Sequence, residues 1–229
     1  MNITRTTYYA LIYASIVFFM SAWIFPLYVD GDQKYYRDFY KNCFYENFNF
    51  SIQYECYKTT IGSSEPIYFL IAKMANLLGF NKDFFIIISN TLFFYLLVVV
   101  VFKYYKKVWH RHLIIIFLLT NYYTIVLFFS AERLKFSFIF ILIAILVGQH
   151  KKMAVVFLTI VTHVQSLLLF ASYFIIKFSG GGDRLLKKVF TIFSTLLLLS
   201  AALYFMQSHL VSKFDAYSDA VGESGQSKT

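Results

Sequence analysis

Five stretches of this chain run for close to twenty residues without an Asp, Glu, Lys or Arg: residues 8–29, 84–102, 113–131, 153–176 and 189–208. An α-helix needs about 20 apolar residues to cross about 30 Å of hydrocarbon. Lipid offers a backbone no hydrogen bonds, so each run must satisfy its own, and a helix does that. A sixth run, 136–149, is shorter, but Arg133 and Lys135 at its head can snorkel and extend it. The ten-residue alternation of a membrane β-barrel is absent. These runs predict an all-α fold, a polytopic transmembrane bundle of about six spans within residues 1–208. A polar tail follows over 209–229.

Composition agrees. The chain is 59% apolar and 14% charged, where soluble domains carry about 25% charged residues. In a soluble protein the net charge of +9 would suggest nucleic acid. Here the basic residues gather at the ends of apolar runs, where they meet lipid headgroups. Membrane lipids are therefore the expected partners, and nucleic acid is not. One Arg precedes the first run, which is too long for a signal peptide and has no small-residue cleavage site, so it reads as a first span. Basic residues divide almost evenly between the two sets of short loops. An inside N-terminus is preferred because it puts the long polar segment, about 30–65, outside. That segment holds both cysteines, Cys43 and Cys56, as a disulfide or as two free thiols.

Residues 66–80 form a shorter apolar segment. Ser63-Ser64-Glu65-Pro66 is a helix start, Ile67, Leu70, Ile71, Met74, Leu77 and Leu78 keep helical spacing, and Gly79 ends it. At this length it suits a re-entrant or interfacial helix.

Ionisable groups at the edge of hydrocarbon are costly, which makes them functional candidates. Arg133, in Ser130-Ala131-Glu132-Arg133-Leu134-Lys135, suits a phosphate or diphosphate through paired N–H donors. Its structural alternative is a snorkelling anchor paired with Glu132. His163 lies on a polar face with Thr159, Thr162 and Ser166. It can serve as a general base or as a donor to oxygen, or it can simply satisfy a neighbouring helix. The turn at 149–152 makes the flanking runs antiparallel. At ~1.5 Å per residue, Arg133 lies ~26 Å and His163 ~19 Å from its middle. Both approach one membrane face, within an arginine's reach of each other. Asp30-Gly31-Asp32, followed by Tyr35, Tyr36 and Tyr40, suits sugar hydroxyls and ring faces, or is a solvated helix start. Glu65 is a site carboxylate or a helix cap favoured by the dipole. No Walker loop, dinucleotide fingerprint, nucleophile elbow or zinc ligand set occurs, so no cofactor and no metal are expected.

Taken in order, these segments resemble the EpsG-type branch of bacterial Wzy-type (O-antigen, capsule, exopolysaccharide) polymerases. The resemblance is carried by Asp30-Gly31-Asp32 with Tyr35 and Tyr36, Ser64-Glu65-Pro66-Ile67-Tyr68, Gly79-Phe80, Ser130 to Lys135, and Thr162-His163-Val164-Gln165-Ser166-Leu167. It covers roughly residues 20 to 176. This chain departs from the family in having Leu27 and Tyr28 where an arginine is usual, and in having fewer helices after Ser208, which implies a C-terminally short chain. The resemblance implies a multi-pass enzyme of the bacterial inner membrane. Such an enzyme polymerises undecaprenyl-diphosphate-linked oligosaccharide units, alongside other polysaccharide-assembly proteins. Arg133 would bind the diphosphate. His163, Asp32 or Glu65 would orient or deprotonate the acceptor hydroxyl, with Asp30, Tyr35, Tyr36, Glu132, Gln165 and Ser166 contacting substrate. A flippase for lipid-linked sugars and a non-catalytic membrane partner are the alternatives.

Overall fold

The computed structural model describes residues 3–45, 49–163 and 166. The run 189–208, most of 164–176, Gln165 and the tail lie outside the described residues. Every regular element described is helical: α1 (Ile3–Ile24), α2 (Asp32–Asn42), α3 (Phe50–Ile61), α4 (Pro66–Leu77), α5 (Lys82–Tyr104), α6 (Val108–Thr120), α7 (Tyr122–Phe129), α8 (Glu132–Leu146) and α9 (Gln149–Thr162). A 3-10 turn, Phe25–Leu27, follows α1.

Side-chain links fix the helix directions. Asn90 donates to Ser21 Oγ at 3.1 Å, and the rings of Tyr9 and Phe102 stack at 5.5 Å, so α1 and α5 are antiparallel. Lys82 meets Glu132 near the start of α5 and α8, while Lys103 donates to Ile145 O at 2.9 Å near their ends. These two helices run parallel. Ser137 near the start of α8 donates to Thr159 O near the end of α9 at 3.1 Å, which makes that pair antiparallel. Between membrane helices the lipid supplies no hydrophobic drive, so packing and polar links of about 1 kcal/mol each set the register. The starts of α5 and α8 and the end of α9 consequently meet at one end of the bundle.

Two helices among the described residues are long and apolar enough to cross a membrane: Arg5–Leu27 and Lys82–Tyr104. A third span appears if α6 and α7 are counted together. Of the six runs expected to span, 189–208 and part of 153–176 lie outside the described residues. Helices α8 and α9, with 15 and 14 residues, fall short of the length required. Large apolar side chains on α1 face outward, with Phe19 70% and Trp23 77% exposed, as a lipid-facing surface would have them.

Two runs that read as continuous are interrupted. The run 113–131 breaks at Asn121, where α6 and α7 meet at 57°. The Asn121 backbone is extended, and its carboxamide accepts from Tyr123 N–H at 3.0 Å, giving α7 its own cap. The run 153–176 is broken too, because α9 ends at Thr162 and His163 follows in extended conformation (φ −157°, ψ 113°). Just before that end, the Thr159 and Thr162 hydroxyls donate to Val155 O (3.1 Å) and Leu158 O (2.6 Å). Such back-bonding competes with the helical ladder.

The segment 30–65 is no open loop. It folds into α2 and α3, packed with α4 around an aromatic core in which Phe39 meets Phe44 at 4.9 Å and Tyr57 at 5.0 Å, and Tyr54 meets Phe69 at 5.2 Å. Gly62 ends α3 in the left-handed region (φ 65°) and turns the chain toward α4, which has Pro66 at its start. At 12 residues, α4 is too short to cross a bilayer.

Of the two states open for the cysteines, the structure has the bonded one. Cys43 and Cys56 form a disulfide, Cα–Cα 5.6 Å, that ties the end of α2 to α3. It closes a short loop of sequence separation 13, and bridges over loops of this size contribute about 3 kcal/mol. In native membranes both thiols should resist maleimide until reductant is added, and Cys43→Ser should destabilise the protein by about that amount. Free labelling of untreated protein would exclude the bond.

Candidate functional site

At the end where α5, α8 and α9 converge, one carboxylate gathers an arginine and a histidine. Glu65 Oε2 accepts from Arg133 Nη1 at 2.7 Å, and Glu65 Oε1 pairs with His163 Nδ1 at 2.6 Å. Ser63 Oγ adds a hydrogen bond to Oε2 at 3.0 Å. Arg133 Nε donates to the Tyr36 hydroxyl at 3.0 Å. Glu65, Arg133 and His163 are all mostly buried, with 10–13% of each side chain exposed.

Each member comes from a helix terminus, which explains how groups so far apart in sequence meet. Glu65 occupies the N-cap position of α4, but its side chain makes no capping bond. Its carboxylate turns instead to Arg133 and His163, so the helix-cap role expected of it is not what the side chain does. Arg133 stands in the first turn of α8, and His163 is the residue after α9. Arg133 and His163, placed within reach of each other by the turn between those helices, both contact one carboxylate.

Glu65 lies outside the spans. Burial alone would raise its carboxyl, but the His163 hydrogen bond and the Arg133 charge outweigh that and hold it down at about 2. Burial pushes the Tyr36 phenol far up, so its hydroxyl keeps its proton and stays a donor.

A second constellation lies behind the first. Glu132 is fully buried and accepts from Lys82 Nζ at 2.5 Å and from the Tyr68 hydroxyl at 2.6 Å. Lys135, one turn further along α8, is equally buried and donates to Asn90 Oδ1 at 2.5 Å. Glu132 is therefore a structural partner of Lys82 rather than of Arg133. The Lys82 ammonium also lies 5.1 Å from the centre of the Tyr36 ring. Breaking a buried pair of this kind costs about 3–5 kcal/mol. That pair therefore fixes the start of α8, and with it the residue that follows.

The remaining expected residues are dispersed. Asp30, Asp32 and Tyr35 are exposed at the start of α2, and Asp32 opens the helix after Gly31 (φ 63°). Tyr36, the next residue, is buried against Arg133. Ser166 is buried, and Gln165 lies outside the described residues. Sequence reasoning missed Lys82 and Asn90 altogether, and took Lys135 for a snorkelling residue, whereas it is fully buried against Asn90. Lys82 sits in Asn81-Lys82-Asp83, which reads as an ordinary polar helix start. Only its position at the mouth of an apolar run hinted at more.

A family model, EpsG family, matches residues 8–229 of the chain. No curated protein and no solved structure matches it.

The depressed Glu65 carboxyl gives a pH signature. Its ordinary value is 4.5 and its folded value about 2. The stability it contributes is thus complete above about pH 4.5 and lost as pH falls toward 2. Thermal unfolding of detergent-purified protein should weaken across that interval, and Glu65→Gln should flatten the dependence. An equally steep profile in Glu65→Gln would assign the effect to another group.

Proposed function

On the footing that this chain belongs to the EpsG family, the family of Wzy-type polysaccharide polymerases, we propose that it extends a glycan by transferring it from a lipid diphosphate carrier to a lipid-linked repeat unit. The observation that carries this reading is the Glu65 carboxylate held at once by Arg133 and His163. An acceptor hydroxyl oxygen forms its bond to the anomeric carbon of the donor glycan. The bond from that carbon to the diphosphate breaks, and the lipid diphosphate leaves with the electron pair.

We assign the roles by chemistry. A guanidinium binds diphosphate oxygens through parallel N–H donors, so Arg133 stabilises the charge that develops on the leaving group. The Tyr36 hydroxyl, kept protonated by burial, is a second donor beside it. A carboxyl held at about 2 is a poor acceptor for a hydroxyl proton, which leaves Glu65 as the group that orients His163 through Nδ1. His163 then takes the acceptor proton at Nε2, an arrangement in which the carboxylate fixes the tautomer and favours the imidazolium. Among the carboxylates weighed from sequence, Asp32 is exposed at the start of α2 and is assigned no proton transfer.

One observation favours a second reading. The 57° break between α6 and α7 is the kind of discontinuous helix found in transporters, so movement of a lipid-linked sugar between leaflets is the alternative. Purified protein in vesicles with lipid-linked repeat units separates the two. Longer glycans mean polymerisation, and unchanged chains on the opposite leaflet mean transport.

In the same assay Arg133→Ala should lower the rate of chain extension by about 10²–10³-fold, the cost of losing one charge-stabilising donor. His163→Ala should lose about 10²-fold or more. Undiminished chain length with Arg133→Ala would remove the arginine from the mechanism.

A further inference from the structure

Beside α2 and the turn between α4 and α5 lies a pocket of about 420 Å³, large enough for one or two sugar rings or a headgroup. Its polar lining comes from Arg37, Lys41, Lys82, Asn76 and Asn81, with Tyr40 as an aromatic wall. We propose that this pocket binds an anionic group, a carboxylate or phosphate carried by a saccharide or by a lipid headgroup. The proposal goes beyond the polymerase reading, and its test reads binding alone.

The charge balance is one-sided. Three cations line the pocket, and none of the described lining residues is a carboxylate. Two of the cations are partly neutralised from outside the lining, Arg37 by Asp83 at 2.6 Å and Lys82 by Glu132. Lys41 is exposed and has no acidic partner among the described residues. Arg37 Nε is buried and finds no acceptor among the described residues. The carboxamide of Asn81 gives its oxygen to Phe84 N–H at 2.8 Å, so its NH₂ group is the part that can serve a ligand. The same α5 terminus carries the positive end of a helix dipole.

Location adds a reason for the pocket to matter. Lys82 lines it and bonds Glu132, the residue before Arg133, while Tyr36, the residue before Arg37, bonds Arg133 itself. The pocket therefore backs onto the Glu65–Arg133–His163 cluster through two side chains. An acidic substituent seated there would fix a saccharide, or a lipid headgroup, close to that cluster.

The test uses the full chain in phosphatidylcholine nanodiscs and two arms. The first compares titration with galacturonate against galactose. The second compares lipid retained in native mass spectrometry from nanodiscs containing phosphatidylglycerol with those of phosphatidylcholine alone. At least one anionic probe should bind about tenfold or more tightly than its neutral counterpart. Lys41→Glu should weaken that binding roughly tenfold, as expected for reversing one charge at a polar site, with thermal unfolding unchanged because Lys41 is exposed. Arg37→Gln serves as the second variant. Galacturonate binding names a saccharide as the source of the anion, and retained phosphatidylglycerol names a lipid. No preference for the anion in either arm overturns the proposal, as does a preference that survives both substitutions.

Discussion

A carboxylate that is mostly out of water must be compensated, and Glu65 is compensated twice. Its two oxygens face Arg133 and His163 separately, so one side chain from the α3–α4 turn joins the start of α8 to the end of α9. Neither partner alone would explain the geometry. An arginine pair would fix α8 and leave the end of α9 unguided, and a histidine pair would do the reverse. The stability of this arrangement is electrostatic and local, because burial opposes the ionised carboxyl and His163, Arg133 and Ser63 together overcome it. That balance is why Glu65 is proposed as the orienting group rather than the base.

The cluster depends on a deeper one. Glu132, Lys82 and Tyr68 form a buried knot in which α8, α5 and α4 are tied within one turn of their starts. Lys135 and Asn90 extend the knot to Ser21 on α1. Ion pairs with this burial rarely add much net stability, since desolvation offsets the attraction. Their effect is to make alternative registers expensive. Sliding α8 by one residue along α5 would strand Glu132 or Lys135 among apolar side chains and would turn Arg133 away from Glu65. Residues 132 and 133 thus divide the labour, the first anchoring inward and the second presenting a guanidinium at the surface of the knot.

Much of this was legible in the sequence wherever spacing alone carries information. The apolar runs at 8–29 and 84–102 became α1 with its 3-10 turn and α5. The closeness of Arg133 and His163 followed from the antiparallel turn between their helices. What stayed hidden depended on partners distant in sequence. Lys82 looks like a solvated helix start until Glu132, 50 residues away, is brought to it. Glu65 has the ordinary appearance of a helix cap, and only the tertiary fold supplies the arginine and histidine that draw it off the backbone. Asn121 and the threonines before His163 are weak local signals against strongly apolar surroundings, and hydropathy averaged them away. The α2–α3 layer was hidden for a different reason. Its core is made of aromatic rings closed by a disulfide, so it lacks the long apolar runs that announce a membrane helix.

The placement of the cluster also bears on the proposal that it binds a lipid diphosphate. Such a substrate has an isoprenoid chain that belongs in hydrocarbon, a charged diphosphate that belongs at the headgroup level and a glycan that belongs in water. A binding group for the middle part must sit where the helices end. A guanidinium in mid-bilayer would be too costly, and one in open water would be screened. Arg133, in the first turn of α8 and only 13% exposed, stands at a helix end and largely out of water, as the proposal requires. Tyr36 comes from α2 and Glu65 from the α3–α4 turn, so the groups around Arg133 belong to the layer formed by these shorter helices. The same division explains why the site is assembled from helix ends. Only there can one protein contact lipid, charge and glycan within the length of a few side chains.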